Sequence, residues 1–159
     1  MLSVFDGLRD VTTLSVFVRL ACALICGGII GIERSYKRRP AGFRTHILIC
    51  IGAAITTLTS QYLYLNMHYF TDMARLGAQV VAGIGFIGAG TIIVTKRQRV
   101  KGLTTAAGLW TSAIIGLTFG GGFYEGGILA TVFIMLAELV FSRIEYRVLE
   151  NVPELNLYM

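Results

Sequence analysis

Five apolar runs, each closed by a short charged or glycine-rich connection, constrain this chain more than any other feature of it. They are Leu14–Ile32, interrupted by Arg19, then Ile47 to about Leu65, Leu76–Val94, about Leu103–Phe119 and about Gly127–Phe141. A bilayer core takes about 20 mostly apolar residues per helix, within a range of roughly 17–25. Composition agrees with burial in lipid. The chain is 55% hydrophobic and 14% charged, where soluble domains carry about a quarter charged residues. Disorder needs low hydrophobicity and high charge and is excluded. Three cysteines in apolar runs do not make a secreted disulfide scaffold. The expected fold is an all-α integral membrane protein, a bundle of about five transmembrane helices packed through small residues. Its parts are an outer tail over 1–13, a membrane domain over 14–142 and a tail over 143–159. The fourth and fifth runs sit at the lower length limit. They are expected to tilt little, to lie in thin bilayer, or to form a hairpin that does not fully span.

Charge sets the orientation. Arg34, Lys37, Arg38, Arg39 and Arg44 lie between the first two runs, and Lys96, Arg97, Arg99 and Lys101 between the third and fourth. Arg143 and Arg147 follow the last run, whereas the opposite side offers only Arg9 and Arg75. Eleven positives against two predict an N-terminus outside and a C-terminus in the cytoplasm, in agreement with an odd number of spans. A net charge of +5 in a soluble protein would suggest nucleic acid; placed this way it describes topology, and no nucleic-acid partner is expected. The lipid bilayer is the first partner. A tail holding Asp6, Arg9 and Asp10 lacks the positive region of a cleaved leader, and no soluble domain is expected in the 18 residues after Phe141.

Gly83-Ile84-Gly85-Phe86-Ile87-Gly88 matches G-x-G-x-x-G in form. Dinucleotide binding needs that motif between a strand and a helix, but here it falls within an apolar run, so no cofactor is expected. Small residues instead let helices approach closely in lipid. Gly27 and Gly31, Gly85 and Ala89, and the row Gly108, Ser112, Gly116 and Gly120 are expected packing faces, one of which could serve a homo-oligomer. Four glycines between 83 and 90 also weaken a helix, so a broken third segment is an alternative.

Arg19 must lie within the membrane, because residues 20–32 alone rise only about 20 Å. It either snorkels to the outer headgroups or finds a partner inside the bundle, with Asp72 first and Glu125 second as candidates. Asp72 could equally cap the third helix. Arg75 stands beside it, and Gln79, one turn on, calls for interhelical hydrogen bonds at lipid depth. The inner connection from Glu33 to His46 mixes one acid with five bases and can rest on anionic lipid. Alternatively Glu33 pairs with a base from this stretch, and Glu138, near the cytoplasmic end of the fifth run, pairs with Arg44 or Arg34. His46 is an interfacial histidine or a metal or proton-relay residue. Cys22, Cys26 and Cys50 act as small apolar residues. No zinc-type ligand cluster and no nucleophile–base pair stands out, so the metal question is open and an enzyme is not expected.

Three ordered blocks carry a resemblance. Gly31-Ile32-Glu33-Arg34 with Ala41-Gly42-Phe43-Arg44-Thr45-His46 and Gly52-Ala53-Ala54 forms the first. The second runs from Asp72 and Arg75 through Gln79 to Gly90, and the third is Val100-Lys101-Gly102-Leu103-Thr104-Thr105-Ala106-Ala107-Gly108-Leu109-Trp110. Together they resemble the MgtC/SapB family of bacterial membrane proteins, from about Arg19 to Tyr124. The resemblance implies a multi-pass protein of the bacterial inner membrane, linked to growth under magnesium limitation, stress adaptation and survival of pathogens inside macrophages. It also implies action through the membrane sector of the ATP synthase, as for some members, rather than by moving magnesium. Many members carry a cytoplasmic ACT-like domain after the membrane part, whereas this sequence runs to Met159. The expectation is a non-enzymatic regulator that contacts other membrane proteins; the alternative is a small channel or transporter with a pathway along the glycine-rich third helix.

Overall fold

The computed structural model describes residues 3–68, 72–96 and 99–150. Arg97 of the expected basic connection and residues 151–159 of the expected tail lie outside the described residues. A 3-10 helix at Ser3–Leu8 leads into α1 (Thr13–Tyr36), α2 (Phe43–Leu65) and α3 (Arg75–Ala89). Two short strands follow, β1 (Ile93–Val94) and β2 (Val100–Lys101), then α4 (Leu103–Gly120) and α5 (Tyr124–Leu136). A π-helical turn, Ala137–Phe141, joins α5 to α6 (Ser142–Glu150). The molecule is an all-α bundle with one two-stranded ribbon.

Among the described residues, four helical stretches are long and apolar enough to cross a bilayer: Thr13–Tyr36, Phe43–Leu65, Leu103–Gly120 and Tyr124–Ile144. The two runs at the lower length limit therefore qualify by length. The third does not. Its apolar residues continue to Val94, but the helix ends at Ala89 after 15 residues, a rise of about 22 Å. Beyond it the chain turns, and Ile93 and Val94 pair antiparallel with Lys101 and Val100. Gly102 closes this ribbon at φ +97°, where a Cβ would sit 1.9 Å from the Thr91 carbonyl oxygen. Only glycine takes that conformation so close to another backbone. A second difference concerns α1, which starts with a reciprocal cap. Thr12 accepts from the Ser15 amide, and the Ser15 hydroxyl accepts from the Thr12 amide, satisfying two amides that a helix start leaves open. The helix then runs on through Glu33 and Arg34, so the expected inner connection shrinks to the residues between Tyr36 and Phe43.

Close packing centres on α2. A Cβ on Gly27 or Gly31 of α1 would lie 2.9 Å from Cys50 Cβ or 2.7 Å from Phe43 Cα. On the other flank, a Cβ on Gly116 or Gly120 of α4 would lie 2.1 Å from the Cys50 oxygen or 2.4 Å from the Ala54 oxygen. Ser112 is fully buried and donates back to the Gly108 carbonyl at 2.9 Å. A Cβ on Gly108 or Gly88 would have more room, at 3.6 Å from His46 Nε2 or 3.4 Å from Ala106 Cβ. A Cβ on Gly83 or Gly85, however, would meet nothing within 4 Å. Gly83 lines an open groove beside α2, Gly85 lies about 200° around α3 from it, and neither is a packing position within this chain, contrary to expectation. Ala23, Ile30, Cys50, Ala54, Ile115 and Phe119 fill the centre. Phe17, Leu48, Phe86 and Phe133 point outward, as residues facing lipid do.

Candidate functional site

Polar side chains gather at the two ends of this apolar bundle. At the end holding the N-terminus, Arg19 is wholly buried. Its Nη1 donates to Gln61 Oε1 at 2.7 Å and to the Gly120 carbonyl at 2.8 Å. Its Nη2 donates to the carbonyls of Arg9 and Leu8 at 2.5 and 3.3 Å. Gly120 is the last residue of α4, and Leu8 ends the 3-10 helix. The carbonyl ends of two helices thus converge on the guanidinium, and the negative end of a helix dipole favours a cation there. Gly122, at φ +77°, lets the backbone pass Arg19; a Cβ there would meet Nη2 at 2.9 Å.

The N-terminal residues close over this end. Arg9 donates to Glu125 Oε1 at 2.7 Å and to the Gly122 carbonyl at 3.2 Å. Tyr124 is buried, stacks on Phe5 at 4.9 Å between centroids and donates to the Leu8 carbonyl. The expected Arg19–Asp72 pair does not form. Asp72 is exposed, and its Oδ1 accepts from the Ala74 amide at 2.9 Å, a local turn bond that uses the carboxylate before it can reach the bundle. Glu125, the second candidate, takes Arg9 instead. Gln79 is exposed and makes no hydrogen bond among the described residues, since α3 turns it out of the bundle. With Arg75 and Ser60 it lines a surface cavity of about 400 Å³.

At the other end Arg34, 1% exposed, donates to Glu138 Oε2 at 2.7 Å and to Thr105 Oγ1 at 3.2 Å, joining α1, the π turn and α4. Arg44, the other partner considered for Glu138, is exposed on the outer side of the first turn of α2 and is not used. Lys37 Nζ stands 2.6 Å from Glu33 Oε1 in an i,i+4 pair. Nζ donates to the Glu138 carbonyl and the Ser142 hydroxyl, at 2.6 and 3.1 Å. Neither Glu33 oxygen meets hydrogen-bond geometry, so that contact is coulombic. His46 is fully buried with Nδ1 2.8 Å from the Gly42 carbonyl. A carbonyl only accepts, so Nδ1 carries a proton. Among the described residues, His46 Nε2, Arg34 Nε and Glu33 Oε2 at this end, and Arg19 Nε at the other, are buried without a hydrogen-bond partner. Among the described residues no group of three His, Cys, Asp or Glu side chains is placed to hold a metal ion.

Gln61, Arg9, Thr105 and the helix-end carbonyls are the members that sequence reasoning missed. Gln61, an amide within an apolar run, was the available signal.

Spanning helices with an apolar belt and polar clusters at both ends define a multi-pass α-helical membrane protein. The chain belongs to the MgtC family, whose sequence model matches residues 20–147. It is 41% identical over 149 residues to YhiD of Escherichia coli K12, whose name proposes a magnesium transporter, covering 91% of this chain and 69% of that one. A Haemophilus influenzae protein is 40% identical over 129 residues, covering 78% and 54%. Protein MgtC of Salmonella typhimurium LT2 is 37% identical over 131 residues, covering 82% and 54%. The chain therefore spans about half the length of the latter two relatives. No solved structure matches it. These relatives place it in a family of membrane proteins.

Proposed function

We propose that this chain is a non-enzymatic regulator of the bacterial inner membrane, linked to magnesium limitation and ion homeostasis, that acts through contacts with other membrane proteins. The observation that supports this reading best is a groove of about 320 Å³ between α2 and α3, lined by Leu48, Gly52, Val80, Gly83 and Ile87 among others. A Cβ on Gly52 or Gly83 would meet nothing within 4 Å. In lipid, small residues on an open helix face are what close helix–helix association uses. The occupant we assign is a transmembrane helix of the ATP synthase membrane sector, the partner that family resemblance nominates. The transport reading draws on the short α3 and on the polar cavity by Ser60, Arg75 and Gln79. A cationic Arg75 in that cavity opposes cation entry, and the interior beneath is apolar.

The test pairs two assays. Affinity-purified chain, extracted in mild detergent, is expected to retain the ATP synthase membrane sector. Gly52→Leu and Gly83→Leu should abolish retention without lowering the melting temperature. Retention indifferent to both substitutions, with ion uptake into proteoliposomes that Asp72→Ala abolishes, would replace this reading with the transporter.

A further inference from the structure

We propose that the cleft between the end of α1 and the start of α6 binds the phosphate headgroup of one anionic phospholipid. The cleft, about 360 Å³, is lined among the described residues by Lys37, Arg39, Ser142, Arg143 and Arg147. Four of these five are cations and none is an acid. Arg39 and Arg143 are exposed and have no ion-pair partner among the described residues. The floor is rigid. Lys37 is tied to the Glu138 carbonyl and to Ser142, so one ammonium is fixed while the Arg39 and Arg143 guanidinium groups stay available to oxygen acceptors. Guanidinium and ammonium groups on one cleft match a phosphate, which offers several anionic oxygens at once.

Depth selects the source of that phosphate. The apolar stretch of the last span ends at Ile144, so residues 142–147 straddle the boundary between hydrocarbon and headgroups. The π turn adds a residue to the helical repeat just before α6, which resets the faces of α6 relative to α5. As a result Phe141, Ile144 and Val148 share one exposed apolar side while Arg143 and Arg147 share another. A phospholipid needs both, a basic site for its phosphate and an apolar flank for its acyl chains; a soluble phosphate needs only the first. Basic pockets between membrane helices are a recurrent way of holding anionic headgroups.

The experiment is native mass spectrometry of the full chain in detergent, titrated with dioleoylphosphatidylglycerol, dioleoylphosphatidylcholine or inorganic phosphate. One phosphatidylglycerol is expected to survive activation that strips phosphatidylcholine. R39Q/R143Q should weaken it about 25-fold, at about fivefold per cation. R44Q/R99Q removes the same charge from residues that do not line the cleft and should leave binding within about twofold. Equal losses in the two double variants would reduce the effect to net charge and overturn the proposal. So would inorganic phosphate that displaces the lipid at comparable affinity. The discrimination between the two lipids is read on the unaltered chain, so it decides the matter even if a variant fails to fold, and equal retention of both lipids rejects the site.

Discussion

Arg19→Met tests whether a buried cation can be held by carbonyl oxygens alone. Three of its four bonds are short, at 2.5, 2.7 and 2.8 Å, and a hydrogen bond to a charged group is worth about 1.5–3 kcal/mol net. Against this stands the desolvation of the guanidinium, several kcal/mol, which the substitution relieves. The balance is a loss of about 2–4 kcal/mol. Arg19→Lys keeps the charge but not the planar fork that reaches α2, α4 and the N-terminal segment together, so it should recover less than half of that loss. Denaturant unfolding in micelles would measure both. The decisive measurement is a pair of double-mutant cycles. Arg19→Met with Gln61→Ala should show coupling of about 1–2 kcal/mol, because they share one bond. Arg19→Met with Asp72→Ala should be additive within about 0.5 kcal/mol. Coupling to Asp72 without coupling to Gln61 would refute the carbonyl cradle.

Glu138→Ala strands the Arg34 guanidinium, at 1% exposure, without its carboxylate and should cost about 3–5 kcal/mol in the same unfolding assay, with Arg34→Met restoring part of it. Gly116→Ala drives a methyl into the Cys50 carbonyl and should destabilise by at least about 1–3 kcal/mol, whereas Gly85→Leu should leave the melting temperature unchanged. A cysteine placed at Arg38 in a Cys-free background should react with a membrane-impermeant maleimide only after the membrane is permeabilised; labelling from outside intact cells would invert the topology.

The legible part of this fold is the part that lipid dictates. Runs of about 20 apolar residues became helices, and charges flanking them mark the ends. Hydropathy records transfer free energy and is silent about backbone direction, so the run to Val94 hid the turn after Ala89. Glycine spacing says where helices are permitted to approach, not where they do. It matches Gly27, Gly31 and Gly116, where a Cβ would clash with a neighbouring helix, and fails at Gly83 and Gly85, where a Cβ would meet nothing within 4 Å. The two polar clusters divided along the same line. Arg34 and Glu138 both have charged side chains that a reader can match by sign, and they meet. Arg19 is held mainly by main-chain oxygens, which every residue has, so no side-chain inventory could point to them.

The Arg19 cradle also has a schedule. Its donors and acceptors are 101 positions apart between Arg19 and Gly120, and chains grow at about 5–20 residues per second. For about 5–20 s after Arg19 is made, its cation has no completed α4 to receive it. The nascent α1 must wait beside the insertion machinery or hold its guanidinium at the headgroups until α4 and the following turn arrive. The Ser3–Leu8 helix and Arg9 cannot dock before Tyr124 and Glu125 exist, so residues made before α1 are among the last to find their places.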